Sequence, residues 1–338
     1  MHIRDAIIAV TNRSDLTQDD AAAVMEQMMN GEASPAQIAA LLTALHFKNE
    51  TDAEIAGMAS VMRAKSVAVP HEGAVVDTCG TGGDHSNTFN ISTTAAFVAA
   101  GAGATVAKHG NRAMSSKCGS ADVLEGLGIK IELEADAVAR CLAQAGIGFM
   151  FAPKFHPAMR YAGPVRREIG IRTIFNVLGP LTNPARAEYQ VIGVASAPLA
   201  EKLANALSKM NTRRALVVHG SDGLDELSIS GPSLVFDVRG GAEPLRSVVE
   251  PEQLGLALAP RESLAGGSVA ENVAITGAIL RGEDGGPRRD IVLLNAAAAL
   301  VASERAGSLA EGIDQAREAL SSGRALERME RMVEVSNR

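Results

Sequence analysis

The chain has 338 residues, 46% of them hydrophobic and 21% charged, with 33 glycines, no tryptophan and a formal net charge of −7. That length holds one large domain and a smaller one with ample core. The acidic balance opposes non-specific binding to nucleic acid, and the scarcity of aromatic residues leaves no base-stacking platform. The longest apolar runs are broken by glycine or polar residues, so no membrane span is expected. Three cysteines (Cys79, Cys118, Cys141) make an odd count without metal-type spacing, the usage of reduced, cytoplasmic thiols.

In chain order, the N-terminus carries acids early and lacks a long apolar core, unlike a signal peptide. Residues 1 to about 66 predict helices only. Thr17 precedes an Asp-rich first turn, Asn30-Gly31 ends that run, and Ser34-Pro35 starts the next helix. Thr51 with Glu54 has the capping-box pattern ahead of Ile55, Met58, Val61 and Met62, which fall at helical spacing. From Ala74 the pattern switches to alternating strands and helices, the mark of an α/β layer. Strands are expected at Ala74–Val76, Ala104–Ala107, Ile147–Phe151, Tyr189–Val194 and Leu216–His219. Helices are expected at Thr94–Ala100, Ala270–Arg281, Arg289–Glu304 and within Ser308–Val333. The stretch Phe155–Leu178 reads as an insertion that packs back on the helical part, and residues 240–265 as a surface excursion. The expected fold is therefore α/β. A small N-terminal all-helical subdomain (residues 1–70, joined by inserted helices at about 155–180) precedes a large domain (71–338) around a mainly parallel sheet.

Two loops carry the chemical signal. Gly80-Thr81-Gly82-Gly83-Asp84 follows the first predicted strand, and glycines let backbone N–H groups converge on an anion. Asn90-Ile91-Ser92-Thr93 then opens a helix, where an amide and hydroxyls are expected to cap and exposed N–H groups favour a phosphate. After the second strand comes Lys108-His109-Gly110-Asn111-Arg112, then Ser115-Ser116, then a helix start at Gly119-Ser120-Ala121-Asp122. A single glycine-rich turn is more often just a turn. Two at strand-to-helix junctions lie on the same edge of a parallel sheet, where ligands of such sheets bind. The pattern matches neither G-x-x-x-x-G-K-[ST] nor G-x-G-x-x-G.

The basic cluster Lys108, His109, Arg112 and Lys117 in an acidic chain suits a small polyanion. Asp225-Glu226, after the strand ending at His219, is the paired carboxylate that fits magnesium, which takes one or two carboxylates plus substrate phosphates. Read alone, the pair is also an ordinary exposed acidic turn. The remaining histidines lack zinc-type spacing. Residue chemistry by itself stops at a magnesium-dependent enzyme of a phosphorylated sugar.

These loops resemble the phosphoribosyl-diphosphate site of the anthranilate phosphoribosyltransferase family. So do Phe151-Ala152-Pro153, His156-Pro157-Ala158-Met159, Pro164-Val165-Arg166, Arg172-Thr173-Ile174-Phe175-Asn176, Leu178-Gly179-Pro180-Leu181, Asn183-Pro184, and His219-Gly220 with Asp222-Gly223-Leu224-Asp225-Glu226. The resemblance implies transfer of a phosphoribosyl group to the amine of anthranilate in tryptophan biosynthesis, with Mg2+, by a cytoplasmic homodimer joined through the helical subdomain. Neither nucleic acid nor membrane is an expected partner. It places phosphoribosyl diphosphate on Gly80, Gly83, Asp84 and Thr88, then on Asn90, Ile91, Ser92 and Thr93. The second loop adds Lys108, His109, Gly110, Asn111, Arg112, Ala113, Met114, Ser115 and Ser116, with Ser120 beyond it. Anthranilate falls to Gly80, Asn111 and Arg166, and the metal to Ser92, Asp225 and Glu226.

Arg166 is the natural carboxylate partner because its planar fork matches a carboxylate in two parallel bonds; Arg167 and Arg172 are its competitors. Pro180 and the surface around Met159 are candidates to wall the ring. Asp84 is expected to bond ribose hydroxyls or its own loop. No proton acceptor is assigned, and His109 is read either as a base or as a shaper of its loop. Two rivals remain at this stage. One is a pyrimidine-nucleoside phosphorylase, which needs no acidic metal pair; the other is a non-catalytic nucleic-acid-binding relative, which needs a basic groove.

Overall fold

The structure, a computed structural model, describes residues 1–113, 117–210 and 212–338. The chain opens with four helices, α1 (Ile3–Thr11), α2 (Gln18–Asn30), α3 (Pro35–Lys48) and α4 (Asp52–Lys65). Their starts are those the cap signals predict. The Thr17, Ser34 and Thr51 hydroxyls each accept from the backbone three residues on, and Gln37 and Glu54 complete reciprocal boxes. Each such cap contributes about 1 kcal/mol. Glu54 also accepts the Leu16 N–H at 2.9 Å and holds Lys48 Nζ at 3.0 Å, tying α4 to the end of α3 and to the α1–α2 connection. Gly57 lets α4 lie close on α2, since a Cβ there would sit 2.2 Å from the Gln18 carbonyl oxygen.

Strands and helices then alternate. They are β1 (Val76–Gly80), α5 (Ile91–Gly101), β2 (Val106–Gly110), α6 (Ser120–Gly126), α7 (Ala135–Ala145), β3 (Ile147–Phe151), α8 (Ala152–Phe155), α9 (Met159–Ile169) and α10 (Phe175–Leu178). After these come β4 (Tyr189–Gly193), α11 (Ala197–Ser208), β5 (Arg214–Gly220), β6 (Ser233–Val238) and β7 (Leu245–Val249). The chain closes with α12 (Val269–Leu280), α13 (Pro287–Ala302), α14 (Leu309–Ser321) and α15 (Arg324–Ser336). Seven strands form one sheet in the order β3-β2-β1-β4-β5-β6-β7. Neighbours from β3 to β5 are parallel, and β6 and β7 close one side antiparallel.

Helices α5 and α13 cover one face, where Phe97, Phe149, Leu293 and Leu300 share a core. Every residue of α13 from Ile291 to Ala302 is buried, and its alanines let α14 approach until Gly312 would touch Ala297. On the other face α11 joins Ile192 and Val217 of the sheet to Leu41, Met58 and Phe175, so the core of α1–α4 runs on into the sheet. Helix α9 packs on α2 and α3, and α10 on α4, as expected of the insertion. Among the described residues no helix is long and apolar enough to cross a membrane.

Three expectations need correction. The apolar run predicts a strand at Ala74–Val76, but β1 continues through Asp77 and Thr78 to Gly80, because the Asp77 carboxylate is satisfied inside the fold. Strand β2 likewise runs through Lys108 and His109, both buried, rather than ending at Ala107. Residues 240–265 are more than a surface excursion. They hold the exposed edge strand β7, and their end returns to the first loop, with Phe89 N–H donating to the Leu264 carbonyl at 3.1 Å.

Candidate active site

The chain enters the sheet at β1, builds outward to β3, then crosses back to β4. The β1–β4 junction is thus the point where strand order reverses, the place where open α/β sheets bind ligands. The two strands end in register there, Gly80 opposite Gly193. Asp225 fills the crevice between them, its backbone against Gly193 and its side chain against Gly80. A Cβ on Gly80 would lie 2.4 Å from Asp225 Oδ2, and one on Gly193 only 1.6 Å from the Asp225 carbonyl oxygen.

From this position the acidic pair reaches both predicted anion donors. Gly82 N–H donates to Asp225 Oδ2 at 2.9 Å, and Ser92 N–H at the start of α5 donates to Glu226 Oε1 at 3.1 Å. The protein's own carboxylates therefore stand on N–H groups suited to phosphate oxygens. Asn90 was expected to cap α5 and does not: its Nδ2 donates instead to the Cys118 carbonyl at 3.2 Å, linking the two loops. Glu226 takes the helix-start donor in its place.

Electrostatically the pair is held in a buried, mainly acidic setting. Burial first, then Asp84 and Glu226, push the Asp225 carboxyl well above its usual range; burial raises Glu226 to about 7 against the opposing pull of Lys108 and Ser92. Asp84 Oδ1 accepts from Ser86 N–H at 3.3 Å, while its Oδ2 is buried with no partner. An orphaned carboxylate oxygen beside two strained carboxylates, with the Ser92 hydroxyl adjacent, is an all-oxygen donor set that fits a hard divalent cation. Among the described residues no group of three or more His, Cys, Asp and Glu side chains is placed to hold a metal ion by itself, so these carboxylates would bind one only together with substrate oxygens.

The second loop is built on a buried brace that the sequence reading missed. Asp77 Oδ1 accepts His109 N–H at 3.1 Å and its Oδ2 accepts Asn183 Nδ2 at 2.7 Å; the same amide donates to the Ala107 carbonyl at 2.8 Å. Lys108 lies beneath the first loop. Its ammonium donates to the Thr78 carbonyl and approaches the Ser92 hydroxyl at 3.5 Å, with burial lowering its pKa and Asp77 and Glu226 opposing that. Gly110 packs on Ser120, whose hydroxyl donates to the Asn111 carbonyl at 3.3 Å.

Other expected residues sort differently. Ile91 and Thr93 are buried, so α5 offers their backbone rather than their side chains. Thr88 stays in the first loop, its hydroxyl 3.2 Å from that of Ser86. Arg112 is exposed and paired with Asp122 at 3.0 Å and Glu125 at 2.8 Å, while Ala113 N–H donates to Asp122 Oδ2. Met114, Ser115 and Ser116 lie outside the described residues.

His109 and His156 face each other with their Nε2 atoms 3.2 Å apart. Burial, then His156, pushes His109 down to about 3, and burial takes His156 to about 4. Two neutral imidazoles in contact favour loop-shaping over proton transfer. Arg166 on α9 is half-buried, stacked 5.0 Å over the Phe175 ring, its pKa lowered by burial. No carboxylate among the described residues pairs with it, whereas Arg167 is exposed and Arg172 contacts the first loop. Met159 lines a small hollow with Met29, Met62 and His156 near by.

Comparison with known proteins follows the same outline. The "Glycosyl transferase family, helical bundle domain" matches residues 4–66, and the "Glycosyl transferase family, a/b domain" matches residues 72–326. The anthranilate phosphoribosyltransferase of Herpetosiphon aurantiacus is 82% identical over 337 residues, covering 100% of both chains. The crystal structure of the Thermus thermophilus enzyme of that name superposes with a TM-score of 0.93 at 44% identity, covering 99% of this chain and 100% of that one. The Saccharomyces cerevisiae enzyme in complex with PRPP and Mg gives a TM-score of 0.88 at 28% identity, covering 98% of each chain.

Proposed function

We infer the reaction from one premise: the chain belongs to the anthranilate phosphoribosyltransferase family. It transfers the phosphoribosyl group of 5-phosphoribosyl 1-diphosphate to the amine of anthranilate, giving N-(5-phosphoribosyl)anthranilate and diphosphate, in L-tryptophan biosynthesis. The observation that carries this reading is the meeting of the acidic pair with both loop donors at the β1–β4 junction.

The residues divide the work. Gly80 to Asp84 and the start of α5 receive the diphosphate, and Asp225, Glu226 and Ser92 would hold Mg2+. When bound, the cation neutralises charge on the departing diphosphate. Were Asp225 and Glu226 to bind the cation, the Gly82 and Ser92 N–H groups they now accept from would be available to phosphate oxygens. Lys108 places its Nζ under the same loop, against the Thr78 carbonyl and near the Ser92 hydroxyl. Arg166 fits the anthranilate carboxylate, since a half-buried guanidinium with no carboxylate partner among the described residues gains most from a two-point anion. Asn111 and Gly80 lie at the boundary between the two substrates.

The aromatic amine is neutral at pH 7, so attack needs alignment more than a base. Catalysis then rests on positioning and on preorganised charge at the leaving group. The neutral His109–His156 contact supports a shaping role for His109.

The same reading extends to assembly and location. A groove of about 550 Å³ runs between α1 and α3, lined by Val10, Ala40 and Ala44, with Phe47 at its lip. Phe47 is 77% exposed and Ile8 is 53% exposed. A groove and a protruding ring on one face suit a second copy related by a two-fold axis, so we assign this face to a homodimer. The odd count of three cysteines, without metal-type spacing, supports a cytoplasmic setting.

The direct test mixes the protein with anthranilate and phosphoribosyl diphosphate and follows anthranilate fluorescence with diphosphate release. One diphosphate per anthranilate consumed is expected. Phosphate-dependent cleavage of a pyrimidine nucleoside, with no anthranilate loss, would refute the assignment.

A further inference from the structure

Arg172 holds none of the substrate contacts assigned above, yet it lies on the diphosphate loop. Helix α9 stops at Gly170, which takes a left-handed φ of +69°, and Thr173 N–H donates to Asn176 Oδ1 at 2.9 Å to start α10. Fixed on both sides, the backbone sends the Arg172 side chain across 90 residues of sequence to the glycine loop. Its Nη2 donates to the Gly82 carbonyl at 3.3 Å. Its Nη1 rests against Gly83, where an added Cβ would be 1.7 Å from Nη1 and 2.6 Å from Cζ. Gly83 has a φ of +82°, which favours glycine, and any side chain there would displace the Arg172 guanidinium.

The peptide groups around Gly82 are thus held from two directions, by Asp225 on the N–H and by Arg172 on the carbonyl. The other cations near the loops are placed differently. Lys108 is buried beneath them, Arg112 is neutralised by Asp122 and Glu125, and Arg261 divides its guanidinium between the Asp222 carbonyl at 3.1 Å and the Asp84 carbonyl at 3.5 Å. Arg172 is exposed, and no carboxylate among the described residues pairs with it. A guanidinium has five N–H donors, of which the loop carbonyl uses one.

We propose that Arg172 is a positioning residue for phosphoribosyl diphosphate, holding Gly82 and Gly83 in the form that receives the diphosphate and setting a free guanidinium charge beside it. This rests on the reading of the first loop as the diphosphate site. It also separates the clustered arginines by role: Arg166 serves the acceptor carboxylate, and Arg172 serves the donor loop.

The test compares Arg172→Gln and Arg172→Lys with wild type at saturating Mg2+. The Gln variant is expected to raise KM for phosphoribosyl diphosphate by about tenfold or more, the scale of a charge-assisted contact, and to leave KM for anthranilate within about twofold. Because the side chain is exposed, Tm should move by no more than about 2 °C. The Lys variant, with charge but no fork, should fall between. Calorimetric affinity for the Mg2+ complex of phosphoribosyl diphosphate reports Arg172 without turnover, so an inactive wild type would count against the reaction and not against this residue. A Gln variant that binds phosphoribosyl diphosphate within twofold of wild type overturns the proposal. So does one whose losses are equal for both substrates and accompanied by a fall in Tm.

Discussion

Gly193→Ala tests how tightly the acidic pair depends on the strand ends. Gly193 closes β4 beside Gly80, and Thr81 N–H donates to its carbonyl at 2.9 Å. The new methyl would sit 1.6 Å from the Asp225 carbonyl oxygen, 2.5 Å from its carbon and 3.3 Å from Glu226 N. Ordinary packing requires a retreat of about 1.5 Å or more, and the contact is backbone, which has no rotamer to escape into. Overpacking of this kind costs about 1–3 kcal/mol of stability. The larger effect falls on the site, because the retreat carries away the carboxylates that meet Gly82 and Ser92. A misplacement near 1 Å in catalytic geometry costs about 100-fold, so kcat/KM should fall by about that factor. Melting should drop by only a few degrees. Anthranilate fluorescence gives the rate, and differential scanning calorimetry the stability. Gly223→Ala, in the β5–β6 loop that carries Asp225, is the control: its Cβ meets nothing within 4 Å, although φ is +91°. It should lose less than about tenfold, strain alone costing about 1–2 kcal/mol. Activity in Gly193→Ala within twofold of wild type would show that the acidic pair is not seated by this contact.

Three further outcomes are expected. Phe47→Glu should convert a dimer to a folded monomer in sedimentation at micromolar concentration, with unchanged circular dichroism; an unaltered dimer would remove the α1–α3 face from the interface. Asn183→Ala strips buried contacts to Asp77, Ala107 and Ala185, and should cost about 2–4 kcal/mol in urea unfolding, whereas a loss under about 0.5 kcal/mol would refute the brace. Because the folded pKa values of His109 and His156 are depressed to about 3 and about 4, their contribution to stability is full above about pH 6.5 and is lost as pH falls toward 3. His156→Gln should flatten that acid limb, and a limb identical to wild type would contradict the buried neutral pair.

Much of the fold can be read from local chemistry. Thr17, Ser34 and Thr51 announce helix starts because a cap is a local hydrogen bond, and β3 is wholly apolar and so is read at its true ends. β1 and β2 are read short for the opposite reason. Asp77, Lys108 and His109 look like loop residues, and only the tertiary partners of Asp77 make burying them tolerable. The site divides in the same way. Glycine loops and the Asp225-Glu226 pair stand out by composition, but that Glu226 rather than Asn90 meets the start of α5 depends on strand order. The contact of Arg172 with Gly82, like that of Arg261 with the Asp222 carbonyl at 3.1 Å, joins segments whose local sequences carry no mark of each other.

The most direct measurement is the rate of anthranilate consumption with phosphoribosyl diphosphate as Mg2+ is varied, in wild type and in Asp225→Asn with Glu226→Gln. Wild type should be silent in chelator and active in millimolar Mg2+. The double variant should lose at least about 100-fold at every Mg2+ concentration while still folding. Equal Mg2+-dependent rates in the two proteins would contradict the assignment of the acidic pair as the centre of the site.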